Sequence, residues 1–171
     1  MSDAGLLVMA YGSPADLGDL EAYYTHIRRG RPPTAEQLAE LRARYEAIGG
    51  VSPLRDITER QGAAVLAHLQ AEHGPDRWIM AHGNKHAAPF IEDGVAELTD
   101  AGVSSIVGLV LAPHWSAFSV GAYHDRATTA AADADLPYVG IESWHLLPEL
   151  VTFHATALRE VLDAARTDRP G

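Results

Sequence analysis

The chain has 171 residues, 47% of them hydrophobic and 21% charged, with no cysteine. That length suits one domain with a real core, and the missing thiols exclude a disulfide framework, a thiolate metal site and a cysteine nucleophile. Thirteen Lys and Arg against 23 Asp and Glu leave a formal net charge of −10, which argues against nucleic acid as the partner. No apolar run approaches the ~18 residues of a membrane span. Met1-Ser2-Asp3-Ala4 lacks a basic leader and a cleavage pattern, so a cytoplasmic protein without a signal peptide is expected.

Leu6-Leu7-Val8-Met9-Ala10 is a continuous apolar run and predicts a strand buried on both faces. It ends in Tyr11-Gly12-Ser13-Pro14, where Ser13 suits a helix cap and Pro14 the first helical position. Ligands of open parallel sheets bind at such strand ends. Tyr11 therefore either stands at the mouth of a crevice or caps the sheet with its ring.

The spacing of Leu17, Leu20, Tyr24 and Ile27 predicts a helix over Asp16–Arg29, ended by Gly30. Thr34-Ala35-Glu36-Gln37 reads as a capping box opening a second helix, closed by Gly49-Gly50. Ser52-Pro53 starts a third, running to about His73. Two short helices are thus inserted between the first strand and its crossover helix. Insertions at this edge commonly form a lid or pocket wall. Tyr23, Tyr24 and Tyr45 either line that wall or staple helices together.

Trp78–Ala81 predicts the second strand, with His82-Gly83-Asn84-Lys85-His86 as its loop. A helix begins near Pro89, and Ser105–Leu111 forms the third strand, ending at His114-Trp115. Then follow a helix over about Ser119–Ala134, a strand at Tyr138–Ile141, a helix from Pro148 to about Arg166, and a linker-like tail over 167–171. Strands alternating with helices predict an α/β fold. The expected sheet has four parallel strands in the order 2-1-3-4, with helices on both faces.

The strand ends gather Tyr11, His82, Lys85, His86, His114, Trp115, Glu142 and His145. No spacing among the histidines makes a closed zinc site, and His68, His73, His124 and His154 read as helix-surface residues. Dinucleotide, P-loop and esterase-elbow signatures are missing. His26, Arg28, Arg29 and Arg31 crowd six positions, and Arg42 and Arg44 follow. They read either as a site for a small anionic ligand or as cations at a solvated helix end. Aromatic and cationic groups together suit a flat apolar ligand with carboxylate arms.

Three runs then carry a resemblance: Gly5-Leu-Leu-Val-Met-Ala-Tyr-Gly-Ser-Pro, Tyr23-Tyr-Thr-His-Ile-Arg-Arg-Gly-Arg and Arg44-Tyr-Glu-Ala-Ile-Gly-Gly-Val-Ser-Pro-Leu. Gly83-Asn-Lys-His, Pro89-Phe-Ile-Glu-Asp, Leu111-Ala-Pro-His-Trp-Ser and Ile141-Glu-Ser-Trp extend it over nearly the whole chain. The sequence resembles the ferrochelatases, most closely the soluble monomeric bacterial type that acts on coproporphyrin. The family inserts ferrous iron into a porphyrin in heme biosynthesis and releases two protons.

The resemblance implies that Tyr11 can ligate the iron of the bound metalloporphyrin. It implies that Arg28, Arg44, Tyr45, Ser52 and Tyr123 contact the macrocycle or its propionates. Arg29 is added on charge, and Lys85 and His86 match a loop facing the same cleft. It also implies coproporphyrin III or a related porphyrin and Fe2+ as substrates, with no tightly bound cofactor. A complete member has two similar lobes, and residues 1–166 resemble the first. The family's metal-delivering histidine and cleft glutamate belong to the second lobe, which is absent here and is an expected partner. Three readings follow: the porphyrin-binding lobe of the enzyme, a porphyrin- or heme-binding module without chelatase activity, or a half-length chelatase active as a homodimer.

Overall fold

The computed structural model describes residues 4–167. The four predicted strands are β1 (Ala4–Ala10), β2 (Trp78–Asn84), β3 (Ile106–Val110) and β4 (Tyr138–Ile141). They form one parallel sheet in the expected order β2-β1-β3-β4. Six α-helices accompany them: α1 (Leu20–Ile27), α2 (Ala35–Ala47), α3 (Leu54–His73), α4 (Ile91–Asp100), α5 (Ala122–Asp133) and α6 (Pro148–Thr167).

The central strand β1 is buried from Gly5 through Ala10, as a run without polar alternation requires. Its residues divide between two helical layers. Leu7 and Met9 join the main core with Ile91, Val95 and Leu98 of α4 and Tyr123, Ala127 and Ala131 of α5. Val8 points oppositely, toward Gly62 of α3. Close approach of α4 depends on Gly94, where a Cβ would lie 2.5 Å from the His82 carbonyl oxygen. Helix α6 behaves differently, because none of its described residues is buried.

Several boundaries move from their sequence expectations. The helix expected from Asp16 begins only at Leu20, and Ser13 does not cap it. Gly18 N donates to Asp16 Oδ1 at 2.6 Å, and Asp19 N donates to Asp16 O at 3.3 Å. This local side-chain bond turns the chain instead of propagating a helix. Strand β2 runs three residues further than expected. Val8, Met9 and Ala10 pair with His82, Gly83 and Asn84, so His82 and Asn84 belong to the sheet and not to a loop. At the sheet's edge a strand tolerates such polar residues. The Thr34–Gln37 capping box forms where expected, with Thr34 N donating to Gln37 Oε1 at 3.0 Å and Gln37 N to Thr34 Oγ1 at 3.3 Å.

The helix expected over Ser119–Ala134 is compound. A π-helical turn, Ala117–Gly121, is capped by Ser116, and α5 follows it. Such turns often sit beside functional sites. His124 is not a surface histidine: its Nδ1 lies 2.6 Å from Tyr138 Oη and its Nε2 3.1 Å from Ile141 O. It ties α5 to β4. Thr167 is the last residue of α6, and the rest of the tail expected over 167–171 lies outside the described residues. Among the described residues, no helix is long and apolar enough to cross a membrane.

Candidate functional site

The end of β1 and the end of β2 are stitched together where Tyr11 emerges. Lys85 N donates to Ala10 O and His86 N to Tyr11 O, both at 3.0 Å. This holds the His86 ring 4.5 Å from the Tyr11 ring, centroid to centroid, at 48°. Tyr11 is 45% exposed and faces an open hollow of about 1050 Å3. Helix α1 and the turn after it form the opposite wall through Glu21, Thr25, His26 and Arg29. Arg29 holds a left-handed backbone conformation, φ 58°, at the turn that ends α1.

Lys85 and His86 line the same hollow. Lys85 Nζ donates to Phe118 O of the π-helical turn at 3.2 Å and lies 4.9 Å from the Tyr123 ring centroid. Burial, then the Arg126 charge, lowers the Lys85 pKa. Arg126 fastens this corner: its Nη1 donates to Lys85 O at 2.8 Å and its Nε to Glu92 Oε1 at 2.8 Å. A second bond from Nη2 to Glu92 Oε2 completes a forked pair. The hydrogen bond from Arg126 is the main cause of the lowered Glu92 pKa.

Four phenols converge beside the hollow. Tyr45 of α2 lies close enough to Tyr11 and Tyr23 to raise both pKa values, after burial as the larger cause. Tyr23 Oη donates to Gly12 O at 3.3 Å, which joins α1 to the turn after β1. Tyr123 is almost fully buried, and burial, then Tyr11, pushes its phenol up to about 12. His86 is shifted down to about 4, first by burial and then by the charges of His26, Lys85 and Arg126. At neutral pH the site therefore offers the neutral phenols of Tyr11, Tyr23 and Tyr123 and the neutral imidazole of His86, with Arg29 and Lys85 in the same lining.

Of the residues singled out from sequence, Tyr11, Arg29, Lys85 and His86 share the hollow, and Tyr45 and Tyr123 adjoin Tyr11. Arg28, Arg44 and Ser52 stand outside the lining. The Arg28 guanidinium carbon lies 5.5 Å from the Tyr24 ring centroid, and its Nε donates to Arg31 O at 3.2 Å. Arg44 is paired with Glu40 at 3.6 Å, its side chain 75% exposed. Ser52 Oγ accepts from Leu54 N at 3.2 Å at the start of α3. Sequence reasoning counted His26 only as a cation and missed Phe90, on which the His26 ring stacks at 5.2 Å. The period of Ala22, His26 and Arg29, four and then three apart, was the available signal for one shared helical face.

A second hollow, about 200 Å3, lies along the β2 edge between Ser13, Arg55, Thr58, Glu59 and His82. Ser13 Oγ and His82 Nδ1 are buried there without a hydrogen-bond partner, and burial lowers the His82 pKa. It is too small for a macrocycle. Among the described residues, no three His, Asp or Glu side chains are grouped to hold a metal ion.

A family model described as ferrochelatase matches residues 3–170. The coproporphyrin III ferrochelatase of Geobacillus kaustophilus (strain HTA426) is 45% identical over 162 residues, 94% of this chain and 51% of that protein. That of Bacillus subtilis (strain 168) is 47% identical over 157 residues, 91% of this chain and 51% of that protein. That of Staphylococcus epidermidis (strain ATCC 35984 / DSM 28319 / BCRC 17069 / CCUG 31568 / BM 3577 / RP62A) is 42% identical over 159 residues, 93% and 52% respectively. The chain spans about half the length of the curated relatives it matches.

Proposed function

The chain belongs to the ferrochelatase family, and on that premise we propose that it is the porphyrin-binding half of a coproporphyrin III ferrochelatase. The observation that carries this reading is the hollow of about 1050 Å3 facing Tyr11, with Arg29 and Lys85 among its lining residues. Its size suits a ligand at the upper end of the small-molecule range. The apolar plane of a porphyrin would lie against Tyr11 and His86, and its acidic arms would meet guanidinium groups by forked, charge-assisted bonds. Arg29 stands in the lining. Arg28 and Arg44, outside that lining, are proposed as further propionate partners on the family resemblance, since an exposed ion pair such as Arg44–Glu40 contributes little and can be exchanged.

Tyr11 is the proposed axial ligand once iron is in the ring. Burial, then Tyr45, raises the pKa of its phenol, and coordination to a Lewis acid would release that proton. Metal exchange for two pyrrole protons also needs a group that delivers Fe2+ and a base for the protons. We assign those to a second lobe, the other half of the relatives' length. An apolar surface on β4, on α6 and on the connection between them supports that partner, with Val139, Leu146, Val151, Phe153, Leu158, Val161 and Leu162 all exposed.

The test is coproporphyrin III titrated into the chain and followed by porphyrin fluorescence, beside an anaerobic Fe2+ insertion assay. Saturable binding without insertion is expected of the chain alone. Absence of saturable binding would overturn the proposal. Insertion by a chain that sediments as a dimer would replace it with the homodimer reading.

A further inference from the structure

One hydrogen bond joins the α1 wall of the hollow to the segment after β2. His26 Nδ1 on α1 lies 3.0 Å from His86 Nδ1 on the segment after β2. The two rings are edge to face, 5.2 Å apart at 76°. On one side His26 stacks on Phe90, 5.2 Å away at 29°. On the other His86 leans on Tyr11 at 4.5 Å. Phe90, His26, His86 and Tyr11 thus form one continuous column from α1's neighbour to the end of the central strand.

A bond between two Nδ1 atoms constrains where protons sit. In a neutral pair one Nδ1 donates and the other accepts. The donor's Nε2 is then bare and the acceptor's carries hydrogen. The two tautomers are therefore tied to one another, because the bond at one ring nitrogen sets the proton on its partner nitrogen. The His86 backbone is already tied to Tyr11 O, so its free variables are its ring torsions and its tautomer. The contact with His26 restrains both.

We propose that His26 is a positioning residue for the porphyrin site, holding the plane and tautomer of His86 and, through it, the ring of Tyr11. This rests on the reading of Tyr11 as the iron ligand only at its last step; the coupling of His26 to His86 stands without it. His26 also comes from the inserted helix that walls the hollow, so this bond links α1 to the segment after β2. Loss of His26 leaves the His86 ring free to turn against the Tyr11 ring.

The test uses the chain with His26→Ala and His26→Asn. The asparagine amide has roughly the reach of Nδ1 and supplies both a donor and an acceptor. Nitrogen-15 NMR of the two rings is expected to show complementary tautomers in the parent chain and a changed His86 tautomer ratio in His26→Ala, while His26→Asn, which can donate or accept, keeps a hydrogen bond to the His86 ring. The visible spectrum of the ferric coproporphyrin III complex is expected to shift in His26→Ala and to return in His26→Asn, with Tyr11→Phe marking loss of the ligand. An unchanged His86 tautomer in His26→Ala overturns the pairing. A changed tautomer with an unchanged ferric spectrum overturns the step from His86 to Tyr11. Identical spectra for the parent chain and Tyr11→Phe remove the axial-ligand reading and leave the NMR result to decide His26.

Discussion

Gly12, the residue that turns β1 away from the sheet, gives the most quantitative prediction. Its φ of +83° lies in the left-handed region, and a Cβ there would sit 2.8 Å from Asn84 Cβ, 3.0 Å from Ala87 Cβ and 3.1 Å from Ala87 N. Gly12→Ala therefore meets two costs. Left-handed backbone costs an L-residue about 1–2 kcal/mol, and crowding a packed turn adds about 1–3 kcal/mol. The more restricted unfolded chain returns about 0.4–1 kcal/mol, leaving a net loss of about 1–4.6 kcal/mol, about 3 at its middle. Gly30 supplies the control. It has the same φ of +83°, but nothing lies within 4 Å of its Cβ position. Gly30→Ala should lose about 1 kcal/mol, backbone strain alone. The assay is urea unfolding. With a slope of about 2 kcal/mol per molar, a loss of about 3 kcal/mol moves the Gly12→Ala midpoint down by about 1.5 M, and Gly30→Ala by about 0.5 M or less. Equal losses would refute the crowding argument, and a Gly12→Ala midpoint within error of the parent would refute both terms.

Other expected outcomes concern pH, the forked pair and the bare helix. The folded His86 pKa, about 4, lies below its unfolded value of about 6.5. The unfolded chain therefore binds more protons between those values, and stability should fall as pH drops from about 6.5 toward 4. Urea midpoints across that window should fall less steeply in His86→Gln; parallel slopes would exclude His86 as the cause. Glu92, held below the carboxylate range by Arg126, contributes stability above its unfolded pKa and loses it as pH falls through the folded one. Glu92→Gln should cost about 1 kcal/mol after allowance for partial exposure, read in thermal melts at pH 7. Leu98→Ala in the core should cost about 2–5 kcal/mol, whereas Leu158→Ala on α6 should stay within about 0.5 kcal/mol in the same melts. A large cost at Leu158 would mean that α6 is covered, by a second copy for instance, and the cost would then vary with protein concentration.

The sheet order was legible because each strand is an apolar run and each crossover a helical period, and right-handed connections leave few arrangements. Local polar chemistry was harder to read. Asp16 captures Gly18 N and delays α1, a choice that apolar periodicity at Leu17 and Leu20 does not register. His82 and Asn84 looked like loop because they are polar, yet an edge strand opposite Val8 and Ala10 accommodates them. Tyr11, Lys85 and His86 were legible as one cluster because strand ends of a parallel sheet share an edge. Their connection to His26 was not, since it spans 60 residues and depends on how α1 folds back. Arg28 and Arg44 were singled out by resemblance and charge, and packing among this chain's own residues gives them no stronger partner than Arg31 O and Glu40.

Coproporphyrin III affinity in three arginine variants tests the socket most directly. Arg28→Ala and Arg44→Ala should each weaken binding by about 1–3 kcal/mol, roughly 5- to 150-fold, the scale of a lost charge-assisted bond. Arg60→Ala removes an equal charge on α3, where Arg60 Nε donates to Asp56 O, and should change affinity less than about twofold, the scale of screened distant charge. Equal weakening by all three would reduce the site to general charge attraction, and no weakening by Arg28→Ala or Arg44→Ala would contradict the account.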